Sequence, residues 1–220
     1  MSTTPTTPRG DRATTARPAP TPRLVERTGA PGRTLALTFD DGPHPVTTPL
    51  LLDVLRQHDV RAVFCLWGAH VRAHPELVRR VVAEGHVLGN HSMHHDDLSG
   101  WEPERVRADL LETAAAIEAA APGVPVPYFR APFGAWGATP QVAAGLGMQP
   151  LGWALAVGDW DPPPPAGTLL RRLEDGVTPG AVVLLHDGGG DRSATVEAVR
   201  RLVPGLQARG WTFTLPAGTA

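Results

Sequence analysis

The chain has 220 residues, of which 42% are hydrophobic and 19% are charged, and its formal net charge is −2. This length and composition predict one soluble globular domain and argue against a disordered protein. The small net charge gives no electrostatic reason to expect nucleic acid or an anionic membrane surface as a partner. The single cysteine, Cys65, excludes both an internal disulfide and a zinc site built from several cysteines.

The first 32 residues differ in composition from the rest of the chain. They are rich in Thr, Pro and Arg and offer little that a core could bury. We therefore expect a disordered tail at 1–32 and a folded domain at 33–220. This tail has no apolar signal region, and no run of about 18 or more apolar residues offers a membrane helix. The expected location is the cytoplasm.

Beyond residue 33, short apolar runs alternate with amphipathic stretches of helical length. Strands are predicted, in chain order, at 34–39, 61–67, 86–91, 127–131, 148–155, 181–186 and 211–215. Helices are predicted between them at 47–59, 75–85, 102–121, 139–146, 167–175 and 193–209. The alternation predicts an α/β domain with a parallel sheet of about seven strands, either open and doubly wound or closed into a barrel. The turn after the first strand, TFDDGPHP, carries carboxylates that would repel a phosphate, which disfavours a nucleotide-binding fold.

Chemically capable side chains fall at the C-terminal ends of successive predicted strands. They are Asp40 and Asp41 after the first strand, His91 after the third, Arg130 after the fourth, Asp159 and Trp160 after the fifth, and His186 after the sixth. In parallel barrels this rim is where side chains from different strands meet in one site.

The segment GNHSMHHDDLSG (89–100) places three histidines within five positions. The spacing pairs His91 with His95, although His91 with His94 is also possible, and a solvated polar loop is the alternative to a metal site. A catalytic divalent metal needs about three protein ligands and an open position. One carboxylate of the TFDD segment would complete the shell, and its neighbour would remain free as a base.

Five motifs, TFDDGPHP, NHSMHHDDLS, FRAPFG, GDW and LLHDG, give the chain a clear resemblance to the polysaccharide deacetylase family, the NodB-homology carbohydrate esterases. The resemblance covers about residues 33–215. It implies a distorted barrel of about seven parallel strands in a single domain. It also implies metal-dependent hydrolysis of an N-acetyl group, or sometimes an O-acetyl group, on a sugar.

The resemblance also implies roles for individual residues. Asp41, His91 and His95 match the family's metal ligands, which leaves His94 outside the shell. Asp40 matches the general base. The expected cofactor is one divalent ion, zinc in the first place, with cobalt, nickel or manganese as alternatives.

The remaining roles concern the supporting groups and the acetyl pocket. Arg130 matches the arginine that orients the base, and Asp159 matches the acid that orients the general acid His186. Trp160 and Leu184 match residues around the acetyl methyl group, and the backbone N–H of Phe133 matches an oxyanion donor.

Two positions depart from the family pattern. Phe133 replaces the usual Tyr, and Ala156 replaces an acid that often stands three residues before the DW pair. Both departures bear on the substrate more than on catalysis.

Three functions follow from these residues. The first is an N-deacetylase acting on an acetylated amino sugar, either an oligosaccharide or a glycosylated small molecule. The second is an O-acetyl esterase or a non-sugar amide hydrolase on the same site. The third, a carbohydrate-binding protein without activity, is disfavoured because Asp40 and His186 are both present.

Overall fold

Eight short strands, all parallel to their neighbours, form one curled sheet in the computed structural model, which describes residues 22–160 and 162–218. The strands are β1 Thr34–Asp40, β2 Val63–Leu66, β3 Val87–Asn90, β4 Tyr128–Phe129, β5 Gln149–Pro150, β6 Leu155–Ala156, β7 Ala181–His186 and β8 Thr212–Phe213. Their order is β5-β4-β3-β2-β1-β7-β6, and β8 pairs with the start of β1. The predicted α/β fold, a distorted barrel of about seven parallel strands, is confirmed.

Seven α-helices surround this sheet in the described part of the chain. They are α1 Thr47–Gln57, α2 Gly68–Ala73, α3 Pro75–Ala83, α4 Pro103–Ala120, α5 Thr139–Gly145, α6 Ala166–Gly176 and α7 Ser193–Ala208. Six of them match predicted helices, and the short α2 was not predicted. None of the described helices is both long and apolar enough to cross a membrane.

The alternation of side chains along β1 determines what reaches the barrel interior. Leu37 and Phe39 pack in the large core between the sheet and the helices, whereas Ala36 packs with residues of other strands in a smaller cluster. Because successive side chains of a strand point to opposite faces, Thr38 and Asp40 share the interior face with Ala36. The last residue of β1 therefore carries a carboxylate into the mouth of the barrel.

The segment before β1 contributes to the barrel. The N–H of Val25 donates to the carbonyl of Pro150 at 2.8 Å, and the N–H of Val182 donates to the carbonyl of Glu26 at 3.1 Å. The segment thus bridges β5 and β7. The predicted domain start at residue 33 is corrected accordingly, because pairing through backbone groups leaves no mark in the composition. The rest of the predicted tail, residues 1–21, lies outside the described residues.

Candidate active site

A cavity of about 380 Å³ opens at the C-terminal ends of the strands. It is lined by Asp40, Asp41, His91, His95, Arg130, Ala131, Phe133, Gly134, Trp153, Trp160, Leu184, His186 and Arg192. The lining includes every residue to which the family resemblance gave a role in the site except Asp159, which contacts His186.

Three of these side chains form a cluster that fits a metal ion. Oδ1 of Asp41 lies 3.3 Å from Nε2 of His91 and 3.3 Å from Nε2 of His95. One ligand atom from each residue lies within 4.8 Å of the other two. Oδ1 of Asp41 is buried and accepts no hydrogen bond from the described residues, so it is available as a ligand. Two imidazoles and one carboxylate are a donor set that first-row divalent ions accept.

The backbone is bent sharply to bring these donors together. Asp41 has a φ of 70° and His95 a φ of 56°, both in the left-handed region that non-glycine residues seldom occupy. Nδ1 of His91 lies 2.8 Å from the carbonyl of Arg130, and this contact leaves Nε2 facing the cluster. Such outer contacts fix the tautomer and the ring orientation of a histidine ligand.

Helix α4 holds the histidine loop in place. Its Asp109 accepts a hydrogen bond from the N–H of Met93 at 3.0 Å, and the side-chain amide of Asn90 donates to the carbonyl of Leu110 at 2.9 Å. His94 is exposed and lies outside the cluster. The structure therefore selects the spacing of His91 with His95 over that of His91 with His94.

The charge of Asp41 is stabilised within the cluster. Burial raises the pKa of Asp41, but contact with His91 and the charges of the neighbouring imidazoles lower the pKa by more. The net result is a pKa of Asp41 held well below its ordinary value, so this carboxylate is ionised and suited to a cation.

Asp40 lies beside the cluster without belonging to it, and it pairs with Arg130. Nη1 of Arg130 donates to Oδ1 of Asp40 at 2.7 Å and to Oγ1 of Thr38 at 2.8 Å, and both charged side chains are buried. Nε and Nη2 of the same guanidinium donate to the carbonyls of Leu151 and Gly152, both at 3.0 Å. Arg130 therefore fixes Asp40 in one orientation.

His186 and Asp159 form a second pair at the same rim, where His186 at the end of β7 is the register partner of Asp40. Nδ1 of His186 lies 2.8 Å from Oδ1 of Asp159, and the backbone N–H of His186 donates to Oδ2 at 2.9 Å. Burial lowers the pKa of His186, but the hydrogen bond and the charge of Asp159 raise the pKa above its ordinary value overall. Asp159 therefore favours the protonated form of the His186 imidazole.

Asp187, the next residue, points away from this pair. Its Oδ2 accepts a hydrogen bond from Oγ1 of Thr48 at 2.5 Å, and burial raises the pKa of Asp187 to about 7. A Cβ added at Gly42 would clash with the same oxygen, so the turn after β1 closes directly over this carboxyl group.

The residues predicted for the acetyl pocket all line the cavity. Leu184 is buried at its base, whereas Trp160 and Phe133 are 47% and 71% exposed at its rim. Phe133 has a φ of 58°, an unusual conformation for a bulky side chain, and its ring packs edge-on against His95 at 4.4 Å between centroids.

Sequence reasoning missed several residues that support the site. Trp153 and Arg192 line the cavity, Thr195 donates from Oγ1 to Oδ2 of Asp159 at 2.9 Å, and Nδ1 of His70 lies 2.7 Å from the carbonyl of Asp41. Arg192, Thr195 and His70 contact backbone carbonyls or another side chain of the protein, so they have no characteristic ligand spacing in the sequence. The glycine-rich segment HDGGGDR, which ends at Arg192, is the sequence feature that indicates a sharp turn beside the site.

Comparison with known proteins identifies the family. The sequence pattern of the polysaccharide deacetylases matches residues 27–151, and the chain belongs to this family. It is 38% identical over 200 residues to a chitooligosaccharide deacetylase of Rhizobium leguminosarum bv. trifolii, a match that covers 86% of this chain and 92% of that protein. It is 36% identical over 183 residues to a peptidoglycan-N-acetylglucosamine deacetylase of Bacillus cereus, with 81% and 84% covered.

A solved structure supports the same assignment. The family 4 acetyl xylan esterase from Clostridium thermocellum, in complex with a cobalt ion, matches with a TM-score of 0.75 and 32% sequence identity. The match covers 83% of this chain and 87% of that one. Together these comparisons confirm the resemblance seen in the five motifs and, with it, the predicted enzyme class, a deacetylase.

Proposed function

We propose that the protein is a metal-dependent hydrolase that removes the N-acetyl group from an acetylated amino sugar and releases acetate. The observation that carries this proposal is the joint placement of three units around one cavity. These units are the Asp41–His91–His95 cluster, the Asp40–Arg130 pair and the His186–Asp159 pair. The relatives named for chitooligosaccharides and peptidoglycan supply the substrate class.

Asp41, His91 and His95 would hold the metal, and zinc suits this donor set best, with cobalt, nickel and manganese as alternatives. A bound divalent ion polarises a carbonyl oxygen and makes a nearby water more acidic. The low pKa of Asp41 ensures that this carboxylate is already ionised.

Asp40 acts as the general base. Its carboxylate lies beside the metal cluster, with Oδ2 at 3.7 Å from Nε2 of His91, while Arg130 engages its other oxygen. It takes a proton from the water that attacks the acetamide carbonyl carbon. Arg130 holds this carboxylate in one orientation and prevents it from rotating away.

The negative charge that develops on the acetamide oxygen needs donors that are already in place. The backbone N–H of Phe133 supplies one of them at the cavity rim. The strained φ of 58° at Phe133 sets the direction of this peptide group.

His186 protonates the departing amine, since an amide anion is a very poor leaving group. Its pKa is raised by Asp159, which favours the protonated imidazole that this donation requires. Asp40 removes one proton from water and His186 delivers one proton to the nitrogen. The products are therefore acetate and a free amino sugar. Trp160 and Leu184 enclose the acetyl methyl group, which sets the size of the acyl group accepted.

The open rim of the cavity suits a sugar that is part of an oligosaccharide or of a glycosylated small molecule. The decisive assay measures acetate released by the metal-loaded protein from acetylated chitooligosaccharides, N-acetylated glycosides of small molecules and O-acetylated xylan. Release from the N-acetylated substrates, and its loss in Asp40→Asn, is the expected result. Release from none of them by metal-loaded wild type would overturn the proposal.

O-acetyl ester hydrolysis is the second candidate, because a structural neighbour is an acetyl xylan esterase. An alcohol leaves more readily than an amine, so ester cleavage depends less on an acid such as His186. A His186→Ala variant that loses amide hydrolysis but keeps ester hydrolysis would show that both reactions use this site.

A further inference from the structure

The start of α7 contacts the loop that carries Asp159. Oγ1 of Thr195 donates to Oδ2 of Asp159 at 2.9 Å, and Nη1 of Arg192 donates to the main-chain carbonyl of Asp159 at 3.2 Å. Thr195 thus holds the carboxylate of Asp159, and Arg192 holds its backbone carbonyl. Thr195 and Arg192 are both buried, with exposures of 1% and 3%.

Arg192 also binds the loop that follows His186. Its Nε donates to the carbonyl of Gly188 at 2.8 Å, and its Nη2 donates to the carbonyl of Gly189 at 3.0 Å. A single guanidinium therefore joins the two loops that supply His186 and Asp159. Its fixed planar fork suits three carbonyls at once, which the ammonium group of a lysine would not reproduce.

The charge of Arg192 makes this placement costly. It forms no salt bridge with a carboxylate of the described residues, although it lies almost entirely buried in the cavity wall. A buried cation that is balanced only by carbonyl dipoles lowers stability unless its contacts are numerous and well aligned. An uncharged residue would serve simple packing better, so the guanidinium indicates a role in the site.

We propose that Arg192 and Thr195 are positioning residues that fix Asp159 against His186 and thereby aim the imidazole at the leaving nitrogen. This inference rests on the proposed function, since it assigns these residues to the delivery of the proton. It adds the start of α7 to the catalytic apparatus as a fixed support for both loops.

The titration of His186 distinguishes positioning from two simpler roles. The charged and titratable groups that interact with His186 are Asp159, Asp40, Asp41, Asp187 and His95, and the variants below leave all five in place. If Arg192 acted only through its charge, its removal would raise the pKa of His186, because a nearby cation disfavours the imidazolium. If Arg192 positions Asp159, its removal lowers the pKa of His186, because the carboxylate is no longer held in contact. A purely structural role would leave this pKa unchanged and lower only the melting temperature.

The experiment follows the ring signals of His186 by NMR across pH in metal-loaded wild type, Arg192→Met and Arg201→Met. Arg201 is an exposed arginine of the same helix that pairs with Glu197, so its replacement is the matched control. We expect a lower pKa of His186 in Arg192→Met alone. An unchanged or raised pKa would overturn the proposal. This measurement needs no substrate, so it stands even if wild type proves to release no acetate.

Thr195 gives a second test that does not depend on the folding of the Arg192 variant. Thr195→Val keeps the shape and removes the hydroxyl, whereas Thr195→Ser restores it. For the N-acetylated substrate we expect kcat to fall about 10 to 100-fold in the valine variant with KM nearly unchanged, and to recover in the serine variant. Equal kcat values for the valine variant and wild type, or no recovery with serine, would count against positioning by Thr195.

Discussion

At the scale of single residues, three nearby histidines have different environments. Nε2 of His91 and of His95 faces Oδ1 of Asp41 at 3.3 Å, whereas His94 is exposed and outside the cluster. We expect His91→Ala and His95→Ala to lower metal occupancy at least tenfold, because each removes one of three ligands. His94→Ala should retain the wild-type content. Elemental analysis of the purified variants after dialysis measures this, and metal loss confined to the His94 variant would reverse the ligand assignment.

Asp40 provides a separate test, because it contacts the cluster without belonging to it. Asp40→Asn keeps a carbonyl oxygen that can accept the hydrogen bond of Arg130, but it cannot take a proton. We expect unchanged metal content and a kcat lowered about 100 to 10,000-fold, which is the usual contribution of a general base. Elemental analysis of the metal content and an acetate-release assay, both on the same samples, test this expectation. An active variant would exclude Asp40 as the base.

At the scale of elements, α4 supports the metal cluster from behind. Asp109 accepts a hydrogen bond from the N–H of Met93, in the middle of the histidine loop. Asp109→Ala leaves that N–H unpaired, and we expect about a tenfold loss of metal affinity in chelator competition. Asp109→Asn retains an acceptor oxygen and should bind metal almost as wild type does. If the alanine and asparagine variants bound metal equally well, the loop would owe its shape to other contacts.

Strands that consist of a continuous apolar run were predictable from the sequence. β1 and β7 were located correctly because each is a continuous apolar run in the centre of the sheet. Their ends, and the motifs attached to them, were therefore located as well. This explains why the sequence pattern alone could assign Asp40, Asp41 and His186 to one rim.

Elements shaped by distant groups were not predictable. The predicted strand 148–155 is two short strands, β5 and β6, because the carbonyls of Leu151 and Gly152 between them bind Arg130. Thr195 and Arg192 were missed for a related reason, since their partners are a side chain and carbonyls from other parts of the sequence. The spacing of residues within one motif does not indicate such contacts.

At the scale of the whole molecule, part of the pH dependence of the free energy of unfolding should come from His86, a histidine outside the cavity lining. His86 is only 6% exposed, and its ring packs edge-on against Phe64 at 5.2 Å between centroids. Its Nδ1 accepts a hydrogen bond from the N–H of Ala62 at 3.2 Å, while Nε2 has no partner among the described residues. Burial lowers the pKa of His86 from 6.5 to about 4, so the folded protein holds this ring neutral.

The direction of the pH effect follows from proton binding. Between pH 6.5 and about 4 the unfolded chain binds a proton at His86 that the folded protein does not bind. The contribution of neutral His86 is therefore intact above pH 6.5, and stability falls as the pH drops toward 4. At pH 4.5 the loss should be about 2 kcal/mol, since each pKa unit corresponds to about 1.4 kcal/mol.

His86→Gln tests this expectation, because glutamine does not titrate and its amide oxygen can still accept from Ala62. Denaturant unfolding at pH 7 and pH 4.5 gives the free energy of unfolding of each variant. Protonation of the metal ligands cancels between them because both contain the same cluster. Wild type should lose about 2 kcal/mol more than His86→Gln over this interval. His94→Gln, which replaces an exposed ring, serves as the control. A parallel loss in wild type and His86→Gln would mean that His86 accepts a proton without unfolding, through a local opening of the β3 end of the barrel.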